Sequence, residues 1–381
     1  MKLGTRLASL VISDIRSMSR ACEAVGGLNL GQGICDLPTP PPVADAARDA
    51  ITRNQVIYTA PEGIRPLRLA IRDKIARTYG LAYDADEEIV VTSGATGGFA
   101  AACLSLFDPG DEIILFEPYY GYHLNTVISL GLTPVLVPTR PPGWEIDFEA
   151  LARAVTPRTR AVVVCTPANP NGKVWSAAEL DRLAALLEER DLLALTDEIY
   201  EHILFDGQAH VPLATRGRAR ARTVTISGLS KTFAITGWRI GYLTAPAELA
   251  RRITITHDLL YVCAPTPLQH GVLAGLGMPQ AYYDDMTRSY ARKRDVLCSA
   301  LADAGLTPHV PRGAYYVLAD IRRLGEPTAK AAAMKLLERT KIASVPGTSF
   351  YTDPVGETLT RFCFAKEDDV LEEAARRLRA L

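Results

Sequence analysis

The run Ser227-Gly228-Leu229-Ser230-Lys231-Thr232-Phe233-Ala234-Ile235-Thr236-Gly237-Trp238-Arg239 sets one lysine among small and apolar residues, just past the β-branched stretch 223–226. Burial disfavours an ammonium ion and leaves more of the amine neutral, so Lys231 is suited to condense with a carbonyl compound. Arg239, further along the same run, carries a planar fork that matches a phosphate. The plainer alternative has Lys231 snorkelling to solvent and Arg239 pairing with a surface carboxylate.

Other segments hold chemistry that complements this lysine. Thr92-Ser93-Gly94-Ala95-Thr96-Gly97-Gly98 follows an apolar run and opens a helix. Free N–H groups at that helix start would receive an anion, and Gly94 lets the backbone approach closely; no GKT or GKS follows, so this is not a P-loop. Thr166-Pro167-Ala168-Asn169-Pro170-Asn171-Gly172 is a turn by composition, with an asparagine amide free to donate to a ligand oxygen. In Leu193-Ala194-Leu195-Thr196-Asp197-Glu198-Ile199-Tyr200 an aspartate ends an apolar strand and a tyrosine follows. Asp197 is either a helix N-cap or the partner of a protonated ring nitrogen. An imine-forming lysine, a carboxylate for a pyridine nitrogen, a phenol and an amide for a ring oxygen, and an arginine plus a helix end for a phosphate together match pyridoxal 5′-phosphate.

These residues need a frame. Short β-rich runs at 88–92, 112–116, 134–137, 161–165, 193–196, 223–226 and 240–244 alternate with helical stretches such as 97–106, 124–130 and 177–189. Strands apolar throughout and separated by helices predict an α/β fold: a large domain whose mostly parallel seven-stranded sheet is covered by helices on both sides. Past residue 280 the rhythm changes to a long helix at 286–304, strands near 315–319, 342–345 and 359–364, and a final helix at 368–381. That reads as a smaller α+β domain built from the two chain ends. The expected division is 1–45 as a segment packing with the small domain, 46–280 as the large cofactor-binding domain, and 281–381 as the small domain. Pro38-Thr39-Pro40-Pro41-Pro42 excludes regular helix or central strand in that linker.

Composition narrows the function classes. The chain has 381 residues, 48% hydrophobic and 22% charged, with a net charge of −1. That balance gives no nucleic-acid footprint and no polybasic membrane patch. Lys2, Arg6, Asp14 and Arg16 interrupt the amino terminus where a signal peptide would need an apolar stretch, and no run is long enough to span a bilayer. The seven cysteines form no CxxC pair and the six histidines no metal-binding spacing. A cytoplasmic protein with reduced thiols and no metal is expected.

With these residues in order, the sequence resembles the class I/II aminotransferases of fold type I, the aspartate aminotransferase-like superfamily. The resemblance runs from Asn29-Leu30-Gly31-Gln32-Gly33 through Tyr58-Thr59, Thr92–Gly97, Glu117-Pro118-Tyr119-Tyr120, Asn169-Pro170-Asn171-Gly172, Asp197–Tyr200 and Ser230–Phe233 to Pro346-Gly347 and Arg361. It implies a ping-pong exchange of an amino group between an α-amino acid and an α-keto acid. Lys231 would form the imine with the cofactor and move the proton, and Asp197 would pair with the pyridine nitrogen. Tyr200 and Asn169 would contact the ring hydroxyl, Tyr120 would stack on the ring, and Gly94, Ala95, Thr96, Ser230 and Arg239 would surround the phosphate. Tyr58 would reach the phosphate of a neighbouring subunit, which implies a homodimer with shared sites. Arg361 would grip the substrate α-carboxylate, with Asn169 beside it and Gly33 in the covering segment.

The chain departs from the family pattern at several places. Gly228 stands where a serine is common, with Ser227 one place earlier; Cys35-Asp36 replaces a usual Glu-Pro; and 355–360 lacks the usual aromatic-Val-Arg ending before Arg361. The same cofactor also serves β-lyases, oxidases and cyclising enzymes, which form the alternative outcome. A ligand-binding regulator is not expected, because the pattern begins by residue 29 and leaves no room for a DNA-binding domain. Tyr119-Tyr120-Gly121-Tyr122 and Tyr261-Val262-Cys263 either line an apolar pocket for aromatic or sulfur-containing substrates or simply pack. No arginine is assigned to a distal carboxylate, so strict aspartate specificity is not expected.

Overall fold

The computed structural model describes Leu7 and residues 14–381; Lys2, Arg6 and the rest of 1–6 and 8–13 lie outside the described residues. Its strands are β1 (Leu28–Asn29), β2 (Ile89–Ser93), β3 (Glu112–Glu117), β4 (Thr133–Pro138), β5 (Thr159–Cys165), β6 (Leu193–Asp197) and β7 (Thr223–Ser227). They continue as β8 (Ile240–Thr244), β9 (Thr307–His309), β10 (Tyr316–Asp320), β11 (Ile342–Ala343), β12 (Val345–Pro346) and β13 (Leu359–Cys363). Seven of them form the large sheet in the order β2-β8-β7-β6-β5-β3-β4. Only β8 runs against its neighbours, as expected from the alternation of strand and helix.

Burial on both faces explains why these strands are apolar throughout. Side chains alternate across the sheet, so Ile113, Leu115 and Val163 feed one core, with Phe99 and Ala102 of helix Gly94–Leu106. Ile114, Val162 and Val164 feed the opposite core, against Leu180, Leu183 and Leu187 of helix Ala177–Glu189. That helix begins with a capping box between Ser176 and Glu179, which fixes its start directly after the 166–175 turn.

The second sheet is antiparallel, in the order β12-β13-β10-β9, while β1 pairs in parallel with β11. The chain ends are therefore stitched together by Leu28 opposite Ile342 and Asn29 opposite Ala343. The strand expected at 342–345 is in fact two. The chain leaves β11 at buried Ser344, whose Oγ accepts from Thr360 Oγ at 2.8 Å, and then pairs Val345 with Arg361. A short apolar run has no periodicity with which to announce such a change of partner. The long helix starts earlier than expected, spanning Gln280–Asp303.

The carboxyl ends of β2, β5, β6 and β7 open on one edge of the sheet, where open α/β folds collect ligands. From across the cleft, β13 brings Arg361 to that same edge.

Candidate active site

A cavity of about 200 Å³ lies at this edge. It is lined by Gly33, Ala95, Thr96, Tyr120, Asn169 and Asp197 from the sequence-derived set. Tyr200, Ser230, Lys231, Arg239 and Arg361 complete that lining. Two predicted residues do not face the cavity. Gly94 lies behind Arg239, and Tyr58 projects from the surface with 79% of its area exposed.

Lys231 sits in the turn after β7, with its Nζ 5.8 Å from the centroid of the Tyr315 ring. Burial pushes its amine below the usual lysine range; the nearby Cys363, Cys35 and Asp197 only oppose that shift. The turn is held by the Phe233 N–H on the Leu229 carbonyl and the Ile235 N–H on the Ser230 carbonyl. Ser230 Oγ donates to the Ile240 carbonyl at 3.2 Å. Ser227, by contrast, turns away from the cavity and donates to Glu201 at 2.9 Å.

Asp197 ends β6 as a buried carboxylate. Its Oδ1 accepts from the Ile199 N–H at 3.2 Å and its Oδ2 lies 3.0 Å from His123 Nε2. His123 is itself buried, wedged 4.4 Å from Phe99 and 5.1 Å from Tyr120 between ring centroids. Sequence reasoning missed His123. Its only local trace is one histidine shortly after the Tyr119-Tyr120 pair, and nothing in that spacing points to Asp197.

Arg361 is 1% exposed, and its guanidinium packs over the rings of Tyr316 at 4.3 Å and Phe350 at 4.7 Å. Its Nη1 donates to Asn169 Oδ1 at 2.8 Å and its Nη2 to the Gly31 carbonyl at 2.7 Å. Both acceptors are neutral, and the buried Nε has no partner within the protein. A buried cation in that condition calls for an anionic ligand, because leaving it unpaired is costly. Because Asn169 spends its oxygen on Arg361, its Nδ2 is left to donate. Tyr200 and Tyr316 share a hydrogen bond between hydroxyls at 3.0 Å.

The other anion-seeking corner is the start of helix Gly94–Leu106. Its N-terminal N–H groups receive no side-chain cap, and Arg239 stands over them. A Cβ added at Gly94, whose φ is +71°, would lie 2.5 Å from Arg239 Nη2, so the glycine makes room for the guanidinium. Arg239 adopts a left-handed φ of 59° and donates to the Thr236 carbonyl at 3.1 Å.

These features fit pyridoxal phosphate. A deprotonation-prone lysine, a fixed carboxylate and an anion corner share one cavity, and a second anion site at Arg361 remains for a substrate. Among the described residues no group of acidic, histidine and cysteine side chains is arranged to hold a metal ion.

Comparison with known proteins agrees. The pattern of the aminotransferase class I and II family matches residues 25–378. The solved structure of N-succinyldiaminopimelate aminotransferase from Mycobacterium tuberculosis superposes with a TM-score of 0.96 at 38% identity, covering 100% of both chains. The methionine aminotransferase of Escherichia coli is 31% identical over 99% of this chain and 98% of its own. The aspartate aminotransferase structure from Rhizobium meliloti gives a TM-score of 0.92 at 34% identity, covering 100% of this chain and 98% of that one.

Proposed function

The chain belongs to the class I and II aminotransferases, enzymes that use pyridoxal phosphate, and from that premise we propose that Lys231 carries the amine and proton chemistry while Asp197 and Arg361 anchor the two reactants. When bound, the cofactor supplies an aldehyde carbon that exchanges amino groups and a ring that acidifies the substrate Cα–H. Lys231 Nζ, whose pKa burial draws below the usual lysine range, takes up the proton released at the substrate Cα. Asp197, fixed by His123 and the Ile199 N–H, holds the proton on the ring nitrogen. Asn169 Nδ2 and the Tyr200 hydroxyl bind the ring oxygen. Tyr120 covers one ring face. Arg239, Ser230 and the helix start at Ala95 and Thr96 hold the phosphate, with Gly94 behind leaving room for the Arg239 guanidinium. Arg361 receives the α-carboxylate of the amino acid or keto acid, and Gly33 lies in the segment that covers it.

The observation that carries this reading is Arg361, a buried cation whose protein partners are both uncharged, facing the same cavity as Lys231. Transamination is favoured over the lyase, oxidase or cyclising outcome because the relatives described above are named as aminotransferases. A homodimer with shared sites is part of the proposal. Ile57, Tyr58 and Leu259 are left broadly exposed on one chain, and Tyr58 does not line the cavity that holds Lys231. A cytoplasmic location is supported by the free state of all the cysteines. Among the described residues no helix is long and apolar enough to cross a membrane.

The test is direct. Borohydride reduction of the cofactor-loaded protein should fix the cofactor's mass on the peptide that contains Lys231. Lys231→Ala should lose both that label and the cofactor's long-wavelength absorbance, and turnover should fall by several orders of magnitude. Labelling at a different lysine, or a yellow and active Lys231→Ala protein, would overturn the assignment.

A further inference from the structure

The part of the cavity not claimed by cofactor or α-carboxylate has a definite chemistry. Among the described residues the cationic side chains on the cavity wall are Lys231, Arg239 and Arg361, and each already has a task in the reading above. What remains toward solvent is apolar and neutral. Ile34 and Tyr122 line the cavity yet are 39% and 43% exposed, so water now covers apolar surface that a ligand would displace. Tyr122 stacks on Tyr120 with centroids 5.3 Å apart and planes at 27°, which presents a broad aromatic wall. Gln32 adds a neutral polar group; its Oε1 accepts from Ser19 Oγ at 3.4 Å, and its NH₂ group is left to donate.

We propose that the amino acid taken by this site bears a large uncharged side chain, aromatic or thioether, seated against Ile34, Tyr122 and Gln32. The inference rests on the assignment of Arg361 and Arg239 in the proposed reading. Among the described residues a second carboxylate entering this space would shed its water and meet only neutral partners, which is unfavourable. An extended apolar side chain would instead cover Ile34 and the Tyr122 ring and gain the burial.

The experiment is a single-turnover half-reaction, in which the cofactor-loaded enzyme is mixed with one amino acid and followed by absorbance. L-Methionine and L-phenylalanine should exceed L-aspartate and L-glutamate by about 100-fold or more in rate constant over dissociation constant, the range one mismatched buried polar group imposes. Titration calorimetry with non-reacting acids supplies a readout without turnover, and 3-phenylpropanoate should bind more tightly than succinate. Ile34→Ala and Tyr122→Ala should each lower the methionine-to-alanine ratio about 10-fold, as lost apolar contact predicts. Ile34→Arg should raise the aspartate-to-methionine ratio. Aspartate reacting as well as methionine, or alanine outpacing both large substrates, would overturn this inference and leave the aminotransferase assignment standing. A loaded enzyme that no amino acid changes would instead refute the underlying assignment of the site, and this inference with it.

Discussion

Replacement of Arg361 by lysine isolates geometry from charge. The guanidinium is aimed by its bond to Asn169 at 2.8 Å, its bond to Gly31 at 2.7 Å, and its packing against the rings of Tyr316 and Phe350. Of its five N–H donors, those two are spent on the protein, and the remaining Nη–H groups are left as a fork for a carboxylate. A fork makes two parallel charge-assisted bonds, each worth about 1.5–3 kcal/mol. Lysine keeps the charge but offers a point donor on a flexible stem, so about one such bond is lost. At 1.36 kcal/mol per factor of ten, that is roughly a 10- to 150-fold loss in kcat/KM. Arg361→Leu removes both bonds and should cost about 3–6 kcal/mol, or on the order of 10²- to 10⁴-fold. The half-reaction, measured across amino-acid concentration, separates binding from chemistry; the lysine variant should lose mainly affinity. Cofactor absorbance and the denaturation midpoint report whether the fold is intact. An Arg361→Lys enzyme that is well folded and within threefold of the parent affinity would refute the role given to this arginine.

Other substitutions test the supporting geometry. Gly94→Ala puts a Cβ 2.5 Å from Arg239 Nη2 at a positive φ, so cofactor affinity should fall about tenfold or more, read by equilibrium titration with pyridoxal phosphate. Lys74→Met breaks a buried pair with Glu201, a carboxylate that also accepts from Ser227 at 2.9 Å and Tyr242 at 3.1 Å. Denaturant unfolding should show a loss of about 3–5 kcal/mol, the cost of leaving a buried charge without its partner, and a loss below 1 kcal/mol would argue that the pair is dispensable. His202 is held neutral because burial pushes its pKa down to about 4 from 6.5, so the unfolded chain binds the extra proton first. Stability from this group is therefore complete above pH 6.5 and lost as pH falls from there to about 4; His202→Phe should flatten that limb of the stability–pH curve, and an unchanged limb would exclude His202 as its source.

Much of this enzyme could be read along the chain because its signals are local. The Lys231 turn, the Asp197–Tyr200 strand end and the glycine-led helix start each follow an apolar strand, and a short continuous apolar run set between helical stretches marks those strands without any knowledge of their neighbours. Other features exist only because distant segments meet. His123 reaches Asp197, Phe350 and Tyr316 enclose Arg361, and Glu201 gathers Lys74, Ser227 and Tyr242, with no spacing rule connecting the partners. The break at Ser344 between β11 and β12 is of the same kind, since the identity of a strand's partner is set by topology rather than by its own residues. Local sequence thus determined which groups are chemically competent and which elements carry them. Packing across the cleft decided which of those groups are desolvated, which are held in one orientation, and which are left with an empty hydrogen-bonding direction for a ligand, because each of these depends on atoms brought together only when the chain is closed.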